Sequence, residues 1–322
     1  MTTREALFEL IRISVTGEAD GALSMEDIDW RELLTLSVQQ GVLGIVWGGI
    51  ELQVRSGYLA MPIQMKMLWH GVVRKAQSEV DTMRDKAEQF ADLISPLPCI
   101  VLKGLDYGRF WPMSNYRVFG DLDIWSCGNH DEINTIVAKI GEKVDTGGGA
   151  KHDELYYQGL RIENHRYFVS DCITEKEKRE DGILREIIGN RYMPIEEGSK
   201  LLSPNVNFTY LMMVKHIHNH FLYEGIRLRH VLDCLFFLRR ESGNVDWGVV
   251  RPALKELGIE RLSQLLTQYC DSMVSKTSKD RRLLRFEDLF FEPEMDRRLS
   301  LIPSIIRVYN RTLKRWYWRD IL

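Results

Sequence analysis

The apolar residues of this 322-residue chain change their spacing near residue 96 and change it back near residue 203. Before and after those points they recur at the spacing of an amphipathic helix. Between them, Pro96 and Pro98 end a long helical stretch, and short β-prone runs begin. The pattern predicts an α+β fold, in which a small mixed sheet within residues 96–200 is flanked by helical regions at 1–95 and 201–322.

The same periodicity predicts the individual elements. A long helix is expected at 63–93, and Gly159 is expected to join two strands, at 154–158 and 160–167. The remaining predicted elements are strands at 100–102 and 121–125 and helices at 105–110, 131–140, 204–221, 226–240, 247–257 and 261–270.

Composition argues against several classes of protein. Lys and Arg total 43 against 46 Asp and Glu, so the chain has no overall basic field for nonspecific nucleic-acid binding. The five cysteines are scattered without a CxxC pair, which indicates neither disulfides nor a zinc site. Acidic residues near the N-terminus argue against a signal peptide, and no apolar run approaches the ~20 residues of a membrane span. A cytoplasmic protein without membrane integration is predicted.

Asp121 and Asp123 are the first candidate functional residues. Carboxylates at i and i+2 of a strand point to the same face, and a divalent cation is the usual neutraliser of such a pair. Two alternatives remain open: Asp121 closes a turn after Gly120, or Asp123 is a solvated strand residue. A second Asp-Ile-Asp, at Asp27 and Asp29, precedes a helical segment, where helix capping explains it without a metal.

Glu163 lies on a later predicted strand and is the candidate third acid. Two-metal phosphoryl transfer requires a bridging carboxylate and further oxygen ligands, which these three acids can supply. The alternative for Glu163 is an ion pair with Arg161 or Lys151.

Four sequence segments in order resemble a known family. The chain is similar to the uncharacterised nucleotidyltransferase family within the DNA polymerase beta-like superfamily. The segments that carry this similarity are, in order, LKGLDYGRFWP, Tyr116 with Arg117, GDLDIW and RIENH. The resemblance implies that Asp121 and Asp123 are metal ligands, that Glu163 is the third acidic residue, and that Lys103 and Gly104 lie at the triphosphate. The wider superfamily usually has Gly-Ser in place of Lys103-Gly104 and Asp in place of Glu163.

Arg117 and His165 lie close to these segments. Arg117, four residues before Asp121, is predicted to contact a nucleotide phosphate, with an ion pair to Asp121 or Asp106 as the alternative. His165 is predicted to contact substrate or to support the acids, and a buried, hydrogen-bonded histidine is the alternative.

His216 and His220 lie at i and i+4 on a predicted helix and therefore share a face. The spacing suits a zinc pair, but the glutamate of the HExxH arrangement is missing. Contact with nucleotide or acceptor is predicted, and solvent-facing or core histidines are the alternative.

These residues together predict an enzyme that transfers an NMP from an NTP to a hydroxyl-type acceptor with two Mg²⁺ ions, or Mn²⁺ in their place. The acceptor, whether a small molecule, a protein or an RNA, is not identified by the sequence. One alternative is a catalytically silent nucleotide-binding or partner-binding module of the same fold. Another is an RNA end-modifying enzyme, favoured by the basic, aromatic tail Pro303–Leu322.

Overall fold

The computed structural model of the chain describes residues 1–19, 21, 28–147, 149–169, 172–223, 225–275 and 279–291. Two sequence predictions, for Asp27 and for the tail Pro303–Leu322, lie outside the described residues. Among the helices that are described, none combines the length and the apolar composition that a membrane span requires.

The described strands form one mixed sheet, which confirms the predicted α+β fold. In chain order they are β1 (Cys99–Val101), β2 (Leu122–Trp125), β3 (Val144–Asp145), β4 (His152–Tyr157), β5 (Leu160–His165), β6 (Tyr192–Pro194) and β7 (Leu201–Pro204). In space their order is β3-β4-β5-β2-β1-β7-β6. β2 runs parallel to β5 and β1 runs parallel to β7, whereas the other neighbours are antiparallel.

The described helices precede the strands, lie between them and follow them in the sequence. They are α1 (Thr3–Thr16), α2 (Trp30–Gln39), α3 (Leu43–Arg55), α4 (Ile63–Ile94), α5 (Leu105–Gly108), α6 (His130–Lys139), α7 (Glu175–Ile188), α8 (Val206–Tyr223), α9 (Leu228–Glu241), α10 (Trp247–Glu256), α11 (Glu260–Ser275) and α12 (Arg281–Asp288), with 3₁₀ turns at Ser114–Tyr116 and Leu289–Phe291.

The chain divides into two compact units. Unit 1 comprises Met1–Ala76, His216–Leu235 and Arg261–Leu322, and unit 2 comprises Gln77–Lys215 and Phe236–Glu260. Because α4, α8 and α9 run across these boundaries, the units do not coincide with the regions at which the sequence periodicity changes. The three predicted regions describe local structure along the chain, whereas the units describe contacts in space.

In unit 2 one face of the sheet carries the apolar core. The second half of α4 and the apolar side of α6 pack on it, burying large side chains such as Phe90 and Ile133 completely. Leu122 and Ile124 of β2 belong to the same core. Because side chains alternate along a strand, Asp123 between them faces the opposite side of the sheet.

In unit 1 a glycine allows two helices to approach closely. A Cβ atom on Gly49 of α3 would lie 2.1 Å from the backbone oxygen of Leu10 in α1, which is well inside van der Waals contact. The same unit contains a stacked pair of indole rings, Trp47 and Trp69, with ring centroids 6.3 Å apart. The packing therefore depends on the missing side chain at Gly49.

Helix capping was predicted correctly at Asp29, whose carboxylate accepts hydrogen bonds from the backbone N–H groups of Arg31 and Glu32 at the start of α2. The predicted helix start at Pro204 is wrong. Ser203 and Pro204 belong to β7, and α8 begins at Val206, where the Asn205 side chain accepts a hydrogen bond from Phe208 N.

Other elements also differ from the sequence prediction. Helix α5 ends at Gly108, short of the predicted residue 110. The edge strands β3 and β6 have two and three residues, too few for a periodic signal, and they were not predicted.

Candidate functional site

The three predicted acids meet where two parallel strands run side by side. β2 and β5 pair so that Asp123 lies directly opposite Glu163. Asp121 stands just before β2, two residues from Asp123, and so shares its face. One carboxylate oxygen of each acid lies within 4.8 Å of the others. The sheet therefore brings all three acids into one cluster within unit 2.

Asp123 is the most enclosed member of the cluster, with a side chain only 1% exposed. Its Oδ1 lies 2.7 Å from Lys103 Nζ and 2.9 Å from His165 Nε2. Its Oδ2 is buried and has no hydrogen-bond partner among the described residues. The alternative of a solvated Asp123 is therefore wrong, because β2 is an interior strand of the sheet.

Glu163 is held by an arginine two residues earlier on its own strand. Arg161 donates a hydrogen bond to Glu163 Oε1 at 2.9 Å and another to Glu154 at 2.8 Å. A second guanidinium nitrogen lies 3.5 Å from Asp121 Oδ2. The predicted ion pair between Glu163 and Arg161 thus exists, and it fixes the carboxylate within the acid cluster.

Charge and burial shift the pKa values of the cluster in different directions. Burial alone would raise the pKa of Asp123, but Lys103 and His165 outweigh it and hold this pKa well below its ordinary value. Burial also opposes a low pKa at Glu163, yet the His165 contact lowers it. Burial and the neighbouring Asp123 charge raise the pKa of Asp121. At neutral pH the buried members therefore carry negative charge.

Lys103 responds to the same charges. Burial would lower its pKa, but the nearby carboxylates, first Asp123 and then Asp121 and Glu163, raise it above its ordinary value. The ammonium group is therefore charged and lies against the acids. Lys103 and Arg161 therefore each place a positive charge beside the three carboxylates.

Gly104 shapes the turn that brings Lys103 to this position. Its φ of +66° lies in the left-handed region that favours glycine, and a Cβ there would lie 3.4 Å from Phe119 Cβ. Just before it, Leu102 N donates a hydrogen bond to Asp123 O at 2.9 Å, which ties the end of β1 to β2. The predicted Lys103-Gly104 pair thus lies next to the acids, and its contact with a triphosphate stays a prediction.

The structure places Arg117 and His165 in buried positions. Arg117 is 4% exposed and donates a hydrogen bond to Val118 O at 3.1 Å. His165 is 2% exposed, and its two ring nitrogens lie 2.9 Å from Asp123 Oδ1 and 3.2 Å from Tyr167 O. His165 therefore orients Asp123, whereas direct contact of either residue with nucleotide stays a prediction.

His216 and His220 lie in unit 1, where His230 joins them. The ring centroids are 4.3 Å apart for His216 and His220 and 4.4 Å apart for His220 and His230, and one ring nitrogen of each lies within 4.8 Å of the others. Arg227 N donates a hydrogen bond to His230 Nδ1 at 3.2 Å, so a neutral His230 ring carries its proton on Nε2. In that tautomer Nε2 carries a hydrogen, so it has no lone pair with which to bind a cation shared by the three rings. The predicted contact of His216 and His220 with nucleotide or acceptor stays a prediction.

Sequence reasoning missed His152. The β4–β5 hairpin turns at Gln158 and Gly159, both with positive φ, and this tight turn sets His152 opposite His165 and Glu154 opposite Glu163. Counting residues across the predicted turn at Gly159 would have found it. Burial lowers the pKa of His152, although the nearby Glu163 carboxylate opposes the shift.

Comparisons with known proteins give one match. The family model described as uncharacterised nucleotidyltransferase matches residues 26–275, which is more than half of the chain. No curated protein and no solved structure matches.

Proposed function

Because the chain belongs to the uncharacterised nucleotidyltransferase family, we propose that it transfers a nucleoside monophosphate from an NTP to a hydroxyl-type acceptor with the help of two Mg²⁺ or Mn²⁺ ions. In this reaction the acceptor oxygen forms a bond to the α-phosphorus of the NTP. The bond between the α-phosphorus and the oxygen that bridges the α- and β-phosphates breaks, and pyrophosphate leaves. The hydroxyl proton is released.

One observation carries the proposal. Asp123 Oδ2 is a buried carboxylate oxygen that no hydrogen-bond donor among the described residues satisfies, and Asp121 and Glu163 extend oxygens to within 4.8 Å of Asp123. Leaving such an oxygen unsatisfied is costly. Carboxylate oxygens are the ligands that Mg²⁺ prefers in proteins, so the donor set fits a divalent cation. A bound pair of these ions supplies charge neutralisation at the phosphates and a more acidic acceptor hydroxyl.

The chain's own residues have separate tasks in this proposal. Lys103, whose charge the acids maintain, binds the triphosphate oxygens, and Gly104 keeps the turn beside it open. His165 keeps Asp123 in its ligating orientation through the 2.9 Å contact. Arg161 holds Glu163 against rotation. Arg117 is a further phosphate-binding candidate, since its guanidinium pairs well with phosphate geometry.

In the experiment the protein is incubated with labelled NTPs, Mg²⁺ or Mn²⁺, and a panel of RNA, protein and small-molecule acceptors. Pyrophosphate release and transfer of the label to each acceptor are measured. Asp123→Asn should lower turnover at least ~100-fold, because it removes a charge that acts in the transition state. Asp92→Asn is the matched control, since Asp92 is 63% exposed and pairs with Lys200 on the surface.

The rival functions predict different results from the same assay. Tight NTP binding without turnover with any acceptor would refute the transferase and support a silent nucleotide-binding module. Transfer confined to RNA 3′ ends would identify the RNA end-modifying enzyme. Equal turnover of Asp123→Asn and the wild type would contradict the role of the acid cluster.

A further inference from the structure

A histidine beside the acid cluster has a ring nitrogen that the reaction proposed above does not use. His152 Nδ1 is buried and has no hydrogen-bond partner among the described residues. It lies 3.7 Å from Glu163 Oε2, and the whole side chain is 20% exposed. Nδ1 therefore faces a carboxylate oxygen across a gap too long for a hydrogen bond.

The distance between His152 Nδ1 and Glu163 Oε2 is compatible with both atoms binding one metal ion. Imidazole nitrogens and carboxylate oxygens bind first-row divalent metals at about 2.0–2.2 Å, so two ligands of one ion lie up to about 4.3 Å apart. The 3.7 Å between His152 Nδ1 and Glu163 Oε2 falls within that limit. One ligand atom from each of His152, Glu163 and His165 also lies within 4.8 Å of the others.

His165 is the less suitable of the two rings as a ligand. Its nitrogens already lie 2.9 Å from Asp123 Oδ1 and 3.2 Å from Tyr167 O, whereas Nδ1 of His152 has no hydrogen-bond partner in the described part of the chain. The two ring centroids are 5.1 Å apart with their planes tilted by 48°, and the hairpin register of β4 and β5 places the two residues directly opposite each other. The position of His152 is therefore set by backbone pairing.

We infer that His152 Nδ1 and Glu163 Oε2 form a nitrogen–oxygen ligand pair for a first-row transition metal, which makes one cation position selective for Mn²⁺ or Zn²⁺ over Mg²⁺. The inference rests on the proposed function, because Glu163 belongs to both ligand sets. Its chemical basis is that imidazole suits transition metals, whereas Mg²⁺ takes oxygen ligands and retains water.

The test uses Mn²⁺ as the probe and pulsed electron paramagnetic resonance as the readout, so it needs no acceptor. Mn²⁺ bound to the full-length wild type should show the electron–nuclear coupling of a directly bound ¹⁴N. Growth with ¹⁵N-histidine should replace that coupling by a ¹⁵N pattern in the unaltered protein.

Two variants assign the nitrogen. His152→Gln should abolish the coupling and weaken Mn²⁺ binding by about 10- to 100-fold, while Mg²⁺ binding changes less than about threefold. His130→Gln is the control. His130 belongs to the same unit, but its Nε2 lies 3.1 Å from the Asp131 carboxylate and it is not a member of the groups of described residues that contain Glu163. This variant should leave both the coupling and the affinities unchanged.

The outcomes separate this inference from the proposed function. Mn²⁺ binding that is lost in Asp123→Asn but shows no histidine nitrogen coupling in the wild type would overturn the ligand assignment and leave the acid cluster as a metal site. Coupling that survives in His152→Gln would likewise overturn it and identify another histidine. Failure of the wild type to bind either Mn²⁺ or Mg²⁺ with NTP would refute the proposed function itself.

Discussion

Removing the positive charge of Lys103 should destabilise the protein in a way that divalent metal repairs. Lys103 Nζ lies 2.7 Å from Asp123 Oδ1, and the two side chains are 18% and 1% exposed. Lys103→Met leaves a buried carboxylate facing two others with one cation fewer. Breaking one partner of a buried pair costs about 3–5 kcal/mol, and the partial exposure of Lys103 reduces this to about 2–4 kcal/mol.

The assay is calorimetric unfolding in EDTA and in excess Mg²⁺ or Mn²⁺. In EDTA the variant should melt about 4–8 °C below the wild type, at about 2 °C per kcal/mol for a chain of this size. Metal should raise Tm more in Lys103→Met than in the wild type, because the bound cation then replaces the positive charge that the acid cluster has lost. A concentration of 100 times Kd would recover about 2.7 kcal/mol.

Lys200→Met is the matched control. Its Nζ also lies 2.7 Å from a carboxylate oxygen, that of Asp92, but the two side chains are 53% and 63% exposed. Exposed pairs contribute about 0–1 kcal/mol, so this variant should melt close to the wild type with or without metal. If the two lysine variants lose equal stability in EDTA, or if metal stabilises Lys103→Met no more than the wild type, the reasoning from buried charge is refuted.

Three further predictions concern unfolding in urea. Gly49→Ala should cost more than about 3 kcal/mol or prevent folding, because its Cβ would lie 2.1 Å from Leu10 O; a variant as stable as the wild type would contradict the close helix contact. Gly104→Ala should cost more than about 1–2 kcal/mol, because its φ of +66° and ψ of −101° lie outside even the left-handed helical region, and an unchanged urea midpoint would show that the turn relaxes. Burial raises the pKa of Asp106 against the opposing charge of Arg109, so the contribution of Asp106 to the free energy of unfolding should fall as pH rises from about 4 through that raised pKa, and Asp106→Asn should lack this loss. The free energy of unfolding of Asp106→Asn minus that of the wild type should therefore increase between pH 4 and pH 7 by about 1.4 kcal/mol for each unit of pKa shift, and a constant difference would contradict the raised pKa.

Local patterns were sufficient for most elements of the fold. The long helix predicted at 63–93 is α4, Ile63–Ile94, because apolar spacing over so many turns is unambiguous. The tight turn at Gly159 was also predicted correctly, since it follows from the residue types at the turn itself. Short edge strands and the parallel pairing of β1 with β7 were not predicted, because pairing partners far apart in sequence leave no periodic signal.

The acid cluster shows the same division. The i, i+2 spacing of Asp121 and Asp123 and the resemblance of RIENH to a known family indicated which acids to consider. Which atoms face one another depended on tertiary structure: the parallel register of β2 and β5, the burial that leaves Asp123 Oδ2 without a partner among the residues described, and the cations of Lys103 and Arg161 close to the acids.

By itself the sequence determined most of the helical and strand segments, the family resemblance and the candidate acids, because these depend on residue type and on spacing within a few turns of chain. Only the tertiary structure decided that His152 joins Glu163 and that His230 joins His216 and His220. Contacts of that kind depend on strand register and helix packing, in which a shift of one residue moves a side chain to another face.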